Sequence, residues 1–249
     1  MRAYLRKFLN RLLYAGAILL TVLITAVIIA NKPLPEGTKG FEAEAIADSM
    51  LAAVNDAAWE SLRYVTWTYR GRRTYVWDTW YNLAEIRWGD QRVLISLNTL
   101  EGRVWMGETQ LQGESKRVVL QKAWEFWCND SFWLNPIVKI RDPGTERKLV
   151  EMKNGRKALL VTYNEGGVTP GDSFLWILDE SYLPVACRMW ASTLPIKGLK
   201  FTWDNWVNLE GAKVALTHRL GPVTIAITDL ASGDHHSDID LSKDPFTDF

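Results

Sequence analysis

The chain has 249 residues, with 29 Lys and Arg residues against 29 Asp and Glu residues, and 47% of its residues are hydrophobic. Four of the basic side chains and none of the acidic ones precede residue 31, so residues 31–249 carry 25 basic and 29 acidic side chains. An acidic body lacks the basic face that neutralises phosphates, which argues against nucleic acid as a partner. The hydrophobic and charged fractions also exclude a disordered or fibrous chain.

Residues 12–30 (LLYAGAILLTVLITAVIIA) form an apolar run without a charge. As a helix this run is about 28 Å long, close to the hydrocarbon thickness of a bilayer. All nearby basic residues lie in residues 1–11, which predicts that this stub stays in the cytoplasm and that the rest of the chain is exported. We therefore expect a single-pass protein of the bacterial inner membrane with a periplasmic domain. A signal peptide cleaved after Ala30 is the alternative interpretation.

The exported part divides by composition into three segments. Residues 31–40 (NKPLPEGTKG) have the Pro and Gly content of a linker that holds the domain away from the bilayer. Residues 41–230 have the size of one domain and contain no low-complexity break. Residues 231–249 are rich in Asp and include His235 and His236, which are competent metal ligands. So polar a segment favours a solvated acidic tail, and we predict no metal site there.

Two segments of the domain, residues 42–59 and 115–128, have helical spacing of their apolar residues. These positions are Ile46, Met50 and Val54 in the first segment, and Val119 or Leu120, Ala123 or Trp124, and Trp127 in the second. Ser115 is a candidate N-cap of the second helix. Both helices are predicted to be amphipathic.

Most of the remaining domain consists of short β-branched or aromatic segments separated by turn residues. The predicted strands are residues 62–70, 74–81, 84–88, 92–98, 103–106, 147–152, 158–163, 174–179, 184–191, 199–206, 213–218 and 222–230. A sheet of that many strands must curl. The sequence therefore predicts a mainly β fold with two helices (α+β), in which a curved antiparallel sheet or half-barrel is closed by helices, next to one N-terminal transmembrane helix.

The aromatic residues are concentrated in this domain, because all 13 Trp residues lie between residues 59 and 206. Residues 200–204 alternate polar and apolar side chains, so Phe201 and Trp203 are expected to face inward. Residues 74–81 are aromatic on both faces of the predicted strand. The indoles could fill the core of the curved sheet, or they could line an apolar cavity that it encloses.

The sequence contains none of the common catalytic motifs. His218 ends a predicted strand and is expected at its rim. Asp130 and Asp172 lie in segments rich in turn formers, where Asx turns explain them more simply than an acid/base pair does. Cys128 and Cys187 could form one disulfide or remain buried thiols. We predict no catalytic residue, no cofactor and no enzymatic activity.

The order of these elements resembles the half-barrel of lipoprotein-localisation factors, the family of the outer-membrane lipoprotein carrier. A helix, a run of strands, a helix ending in residues 124–134 (WEFWCNDSFWL) and a second run of strands carry this resemblance, which covers about residues 41–230. Residues 161–163 (VTY), 167–172 (GVTPGD) and 183–185 (LPV) resemble uncharacterised bacterial envelope proteins of the same shape. The resemblance implies an apolar cavity that holds acyl chains of lipids or lipoproteins. None of the carrier's ligand-holding residues can be matched here, and the spanning anchor departs from the soluble carrier.

These observations predict a membrane-anchored envelope protein that binds a lipid, a lipoprotein acyl chain or another apolar ligand in a Trp-lined half-barrel. The predicted wall consists of Trp67, Trp77, Trp88, Trp105, Trp176, Trp190 and Trp203, and the predicted plug of Met50, Val54, Trp124 and Trp127. One alternative is a non-catalytic scaffold or interaction protein of an envelope complex, which a core filled by Trp side chains would favour. A second alternative is a hydrolase that uses Asp130 and Asp172, which would then converge on one cleft.

Overall fold

A computed structural model of the chain describes residues 2–153, 155–247 and 249. Helix α1 (Arg2–Ala30) leads the chain, and its residues Asn10–Ala30 are long and apolar enough to cross a membrane. The other α-helices are α2 (Phe41–Val54), α3 (Asp56–Ser61) and α4 (Gly113–Leu134). Two 3₁₀ turns follow later, at Pro136–Lys139 and His236–Ile239.

The strands form two antiparallel sheets, which confirms the mainly β fold class. In chain order they are β1 (Tyr64–Tyr69), β2 (Arg73–Asp78), β3 (Leu83–Trp88), β4 (Gln91–Ser96), β5 (Gly102–Met106), β6 (Thr109–Gln110), β7 (Thr145–Glu151), β8 (Lys157–Tyr163), β9 (Asp172–Leu178), β10 (Pro184–Trp190), β11 (Leu199–Thr202), β12 (Asp204–Leu209), β13 (Ala212–Leu220) and β14 (Val223–Gly233). The larger sheet has the order β12-β13-β14-β1-β2-β3-β4-β5-β6, and the smaller sheet has the order β11-β10-β9-β8-β7.

The chain passes from the smaller to the larger sheet at Trp203, within the segment predicted as one strand (residues 199–206). β11 pairs with β10, whereas β12 pairs with β13. The Trp203 N–H still donates to the Val185 carbonyl at 2.9 Å, so the two sheets diverge directly after this residue. The side chains of Phe201 and Trp203 face inward, as their alternation predicted.

The first predicted helix is two helices, because Asn55 takes the left-handed conformation with φ 56°. Its backbone N–H donates to Ala52 and ends α2, while its side-chain oxygen accepts from the N–H of Ala58 and begins α3. Asn tolerates this conformation better than most residues do. The turn places Trp59 of α3 in the core beside Met50 and Val54 of α2.

Helix α4 extends beyond the helical spacing at residues 115–128 and continues through residues 129–134, where the resemblance placed its end although these residues are rich in turn formers. Asn, Asp and Ser are poor helix formers, so local propensity favours a turn at residues 129–131. The buried side chains of Asp130, Trp133 and Leu134 supply the tertiary contacts that extend the helix. This extra length brings the end of α4 between the two sheets.

The segment at residues 31–40, predicted as a linker that holds the domain away from the bilayer, lies against the smaller sheet. The Lys32 N–H donates to the Lys197 carbonyl at 3.0 Å. Thr38 forms a bridge with Leu149 of β7, with N–H···O distances of 2.9 and 2.8 Å. The Pro and Gly content correctly predicts that this segment forms neither a helix nor a regular strand, but it does not predict its hydrogen bonds to the domain.

The C-terminal residues cover the outer face of the larger sheet instead of forming only a solvated tail. Ile239 and Phe246 are buried against Tyr64, Val76 and Leu94 of β1, β2 and β4. The Tyr64 hydroxyl donates to the Asp244 carboxylate at 3.1 Å. A segment that is polar by composition therefore closes a second apolar cluster with its few apolar residues.

We expect Phe246→Ala to lower the free energy of unfolding by about 3 kcal/mol, since it removes a buried aromatic ring from this cluster. Phe249→Ala is the matched control, because Phe249 is 43% exposed and Phe246 is 8% exposed. Urea unfolding followed by Trp fluorescence measures both. Equal stability of the two variants would show that the C-terminal residues do not stabilise the fold.

Candidate functional site

The C-terminal half of α4 packs against a group of aromatic rings on the inner face of the larger sheet. The Trp127 ring lies 5.6 Å from Trp67, 6.2 Å from Tyr75 and 5.3 Å from Trp77, measured between centroids. Trp67 and Tyr75 are partners across β1 and β2, and their rings stack at 4.7 Å. Cross-strand pairing therefore builds the aromatic surface that receives Trp127.

One turn further along, α4 contacts rings of the smaller sheet and of the connection between the sheets. Phe132 lies 4.5 Å from Phe174 and 6.3 Å from Trp176, both on β9. Trp133 stacks on Trp203 at 5.6 Å. The helix thus occupies the space between the two sheets, and its own rings fill it together with those of the strands.

The structure brings most of the predicted wall and plug residues into this core and leaves two outside it. Trp67, Trp77, Trp88, Trp124, Trp127, Trp176, Trp203, Met50 and Val54 belong to or pack against the same core. Trp105 lies on the outer face of the larger sheet, where the Arg92 guanidinium stands 4.7 Å over its ring. Trp190 lies on the outer face of the smaller sheet, beside Val150 and Leu160. Strand parity separates these two residues from the others, because side chains alternate between the faces of a sheet.

A buried charge fixes α4 to the larger sheet. The Asp130 carboxylate is fully buried and accepts hydrogen bonds from Arg73 Nε at 2.5 Å and Arg73 Nη2 at 3.0 Å. The Tyr75 hydroxyl also donates to this carboxylate. Burial and the neighbouring Asp130 charge both raise the pKa of Tyr75, so its hydroxyl keeps its proton and remains a donor.

Arg73 and Tyr75 are functional residues of this helix contact that the sequence analysis did not identify. Both lie on the same face of β2 as Trp77, which packs against the core. A basic residue on the inward face of an aromatic strand indicates a buried ion pair, because a buried charge without a partner is unstable. Its partner on α4 lies 57 residues away along the chain, beyond the reach of any local pattern.

His218 makes the second polar contact with α4, and its predicted place at a strand rim was wrong. The side chain is fully buried, and its Nε2 lies 2.9 Å from the carbonyl oxygen of Trp133, to which it donates. The imidazole lies 3.9 Å from the Trp203 ring. Burial lowers the pKa of His218 to about 4, so the ring is neutral at pH 7.

Several polar atoms in this aromatic interior have no hydrogen-bond partner among the described residues. They include three donors, namely the indole Nε1 of Trp67, the indole Nε1 of Trp176 and the hydroxyl of Tyr163, and they also include Nδ1 of His218. Trp67 and Trp176 lie on opposite sheets, and Tyr163 contacts Phe174, the residue against which Phe132 of α4 packs. Leaving such a group unpaired costs about 1–3 kcal/mol, so the closed interior is not fully optimised.

An open cleft lies elsewhere, on the outside of the domain. It has a volume of about 960 Å³ and runs between the start of α2 and the turn that connects β9 to β10. Phe41, Ile46, Leu178, Tyr182 and Val185 supply its apolar lining, and the predicted Trp, Met and Val residues do not contribute to it. The aromatic interior and this cleft are therefore separate features.

The remaining candidates have structural partners. Asp172 Oδ1 accepts from the N–H of Ser192 at 2.7 Å and so ties the start of β9 to the loop after β10. Asp130 is bound to β2 instead, and the two carboxylates share no partner in the described contacts. Cys128 and Cys187 are free thiols, and burial raises the pKa of Cys128 to about 12.

We expect Asp130→Asn to lower the free energy of unfolding by about 3 kcal/mol, because it removes the negative charge that pairs with Arg73 and one of the two oxygens that accept from Arg73 and Tyr75. Glu125→Gln is the matched control on the same helix, since it removes only a surface pair with Lys122 and is expected to cost less than about 0.5 kcal/mol. Denaturant titration measures both variants. A loss in Asp130→Asn as small as that of the control would contradict the anchoring role of Asp130.

The depressed pKa of His218 predicts a pH dependence of stability. Between pH 6.5 and about pH 4 the unfolded chain binds a proton at His218 that the folded chain does not, so stability falls as the pH decreases through this window. The expected loss is about 3 kcal/mol. His218→Gln removes this contribution and flattens the profile, whereas His235→Gln, on the exposed C-terminal segment, leaves it unchanged. Identical profiles for wild type and His218→Gln would refute the assignment.

Comparison with solved structures gives weak likenesses only. A DUF1329 family protein from Desulfovibrio piger is a structural neighbour, with a TM-score of 0.40 and 10% sequence identity over 79% of this chain and 98% of that chain. No protein-family model matches the chain, and a search of curated proteins gave no match. The likeness is too low to support an argument about function.

Proposed function

We propose that this protein is a non-catalytic, membrane-anchored envelope protein that binds a lipid, a lipoprotein acyl chain or another apolar ligand. The ligand takes the place of the C-terminal half of α4 between the two sheets. In this proposal α1 crosses the inner membrane with its N-terminus in the cytoplasm, and the β domain lies in the periplasm. The basic residues before the span support that orientation.

The observation that carries the proposal is the set of unpaired donors in the aromatic interior. The indoles of Trp67 and Trp176 and the hydroxyl of Tyr163 can each donate a hydrogen bond, and none does so within the described part of the chain. Burial raises the pKa of Tyr163, so its hydroxyl remains protonated. A ligand with an ester carbonyl among its methylene groups offers an acceptor to these donors and apolar surface to the rings around them.

The energetics favour a long apolar ligand. Each buried methylene group contributes about 0.8 kcal/mol, so an acyl chain can compensate for the loss of contacts between α4 and the rings. Binding sites for small molecules are mostly apolar, with a few polar groups that fix the ligand's orientation. The inner faces of the two sheets have this composition once α4 is withdrawn.

Helix α4 has the features of an element that can move. Its buried residues all lie from Ala123 onward, and Gly113 begins the helix with a left-handed φ of 57° and no side-chain cap at Gln112. Two polar side-chain contacts, from Asp130 to β2 and from His218 to the Trp133 carbonyl, hold its C-terminal half together with the aromatic packing described above. In this proposal a rotation at residues 112–113 separates the helix from the sheets, and the ligand replaces the aromatic contacts that are lost.

A scaffold or interaction protein is the second candidate, and the filled interior favours it. Trp67, Trp176 and Trp203 are each at most 2% exposed, as expected for residues of an ordinary core. Trp80 and Tyr81 project from the turn after β2 and are 62% and 66% exposed, a combination suited to a protein partner. In this case the interior stays closed and the outer surface carries the function.

The test compares a fatty-acid methyl ester with an alkane of the same length, using detergent-free protein, native mass spectrometry and Trp fluorescence. We expect the wild type to bind the ester about tenfold more tightly than the alkane, because one added hydrogen bond contributes about 1.4 kcal/mol. Tyr163→Phe removes one donor and is expected to reduce this preference while retaining affinity for the alkane.

Tyr182→Phe is the control, because Tyr182 lies in the outer cleft and its loss leaves the interior unchanged. Asp130→Asn, which loosens α4, is expected to speed ligand uptake under conditions in which the variant remains folded. Absence of binding to both ligands, with no spectral change in any variant, would eliminate the ligand-binding proposal and leave the interaction protein as the remaining candidate.

A further inference from the structure

The junction between α1 and the β domain contains hydrogen bonds from its first residue onward. The Asn31 N–H donates to the Val27 carbonyl at 2.9 Å and so continues the hydrogen bonding of α1. The Asn31 side-chain oxygen accepts from the Lys197 N–H at 2.7 Å. One residue therefore belongs both to the end of the helix and to the surface of the domain.

Lys32 completes this junction. Its N–H donates to the Lys197 carbonyl at 3.0 Å, and its carbonyl accepts from the Trp190 indole at 2.8 Å. Its Nζ donates back to the Ile29 carbonyl at 3.0 Å, at the end of α1. The loop formed by residues 191–198, which connects β10 and β11, is thus bound to the two residues that leave the helix.

The loop is shaped to receive Lys32. Gly198 is buried and has a φ of +74°, and a Cβ at this position would meet the Cβ of Lys32 at 2.7 Å and the Trp190 ring at 3.2 Å. Only glycine permits this approach. The loop is also closed internally, because Lys197 Nζ donates to the carbonyls of Ala191 at 2.6 Å and Leu194 at 3.1 Å.

The short connection determines how far this loop can lie from the bilayer core. Ala30 is the last residue of α1, and Lys32 is the second residue beyond it. Two residues span at most about 7 Å. The headgroup layer on each side of the hydrocarbon core is about 5–8 Å thick. A loop bound to Lys32 therefore lies within the headgroup layer of the leaflet from which α1 emerges.

The composition of this surface suits that position. Residues 191–198 (ASTLPIKG) contain no acidic side chain and one Lys, and Lys200 follows. Asp172 joins the loop to the start of β9, next to the turn that carries Val168, which is 41% exposed. Trp190 lies at the base of the loop, and indoles are favoured at the headgroup level.

From this geometry we infer that the β domain is docked on the phospholipid surface through residues 190–198 instead of moving freely on a tether. The partner is the headgroup layer of the bilayer that α1 crosses. This inference rests on the membrane anchor of the proposed function and is independent of ligand binding in the interior.

The test uses the full chain in phospholipid vesicles, with an environment-sensitive fluorophore on an introduced cysteine and a nitroxide quencher on the lipid headgroup. Thr193→Cys places the probe in the docked loop. Glu108→Cys places it in the turn between β5 and β6, at the edge of the larger sheet opposite β12. Both introduced positions are exposed, whereas the native Cys187 is buried and Cys128 is partly buried, which favours labelling at the introduced sites. We expect quenching at residue 193 to exceed that at residue 108 by about fivefold or more.

Two glycine variants separate docking from the presence of the anchor. Gly198→Ala displaces Lys32 and is expected to lower quenching at residue 193 toward the value at residue 108. Gly221→Ala is the matched control, because Gly221 also has a positive φ, +55°, but a Cβ there meets nothing within 4 Å. Sodium carbonate washing of the vesicles reports insertion of α1 separately.

Each outcome decides the inference. Protein that stays with the washed vesicles but shows equal, low quenching at both probes overturns docking and leaves the anchor intact. Protein that is washed off overturns the anchor and docking together. Quenching at residue 193 that survives Gly198→Ala overturns the assigned contact with Lys32.

Discussion

The burial of one carboxylate determines how α4 sits between the sheets. A buried charge is tolerated only when it is paired and its hydrogen-bonding capacity is met, and Arg73 and Tyr75 of β2 meet both conditions for Asp130. This contact sets the rotation of α4 about its axis. Trp127 and Trp133, three positions before and after Asp130, then lie near the same face of the helix. One ring contacts the larger sheet and the other contacts Trp203, where the chain leaves the smaller sheet.

The aromatic excess follows from this arrangement. Two sheets that diverge at Trp203 leave a wide space between them, and large rings from both sheets and from α4 fill it. The rings are well buried, yet the indoles of Trp67 and Trp176 keep unpaired donors. A core that needed only stability would replace these groups with apolar side chains of the same shape. In the proposed function a ligand supplies the acceptors that these donors lack.

The contact between the anchor and the domain has a different basis. It depends on backbone hydrogen bonds and on the space above Gly198, so it has a defined geometry and little apolar area. A helix joined in this way transmits its position to the loop after β10, and thereby to the smaller sheet. In the proposed arrangement, with α1 in the bilayer, the interior between the sheets would be held near the membrane, and a lipid would travel a short path to reach α4.

The sequence by itself determined the features that depend on neighbouring residues. The apolar length of the span, the mainly β class, most strand positions and the inward direction of Phe201 and Trp203 follow from hydropathy and alternation within a few residues. Only the tertiary structure decided the division into two sheets, the extension of α4 through Leu134 and the burial of His218. The same holds for the docking of residues 31–40, where Asn31 pairs with a residue 166 positions away. Such contacts form between segments that are distant along the chain, so no pattern of neighbouring residues contains them. At residues 129–134 the local helix propensity even favours a different conformation, and tertiary contacts override it.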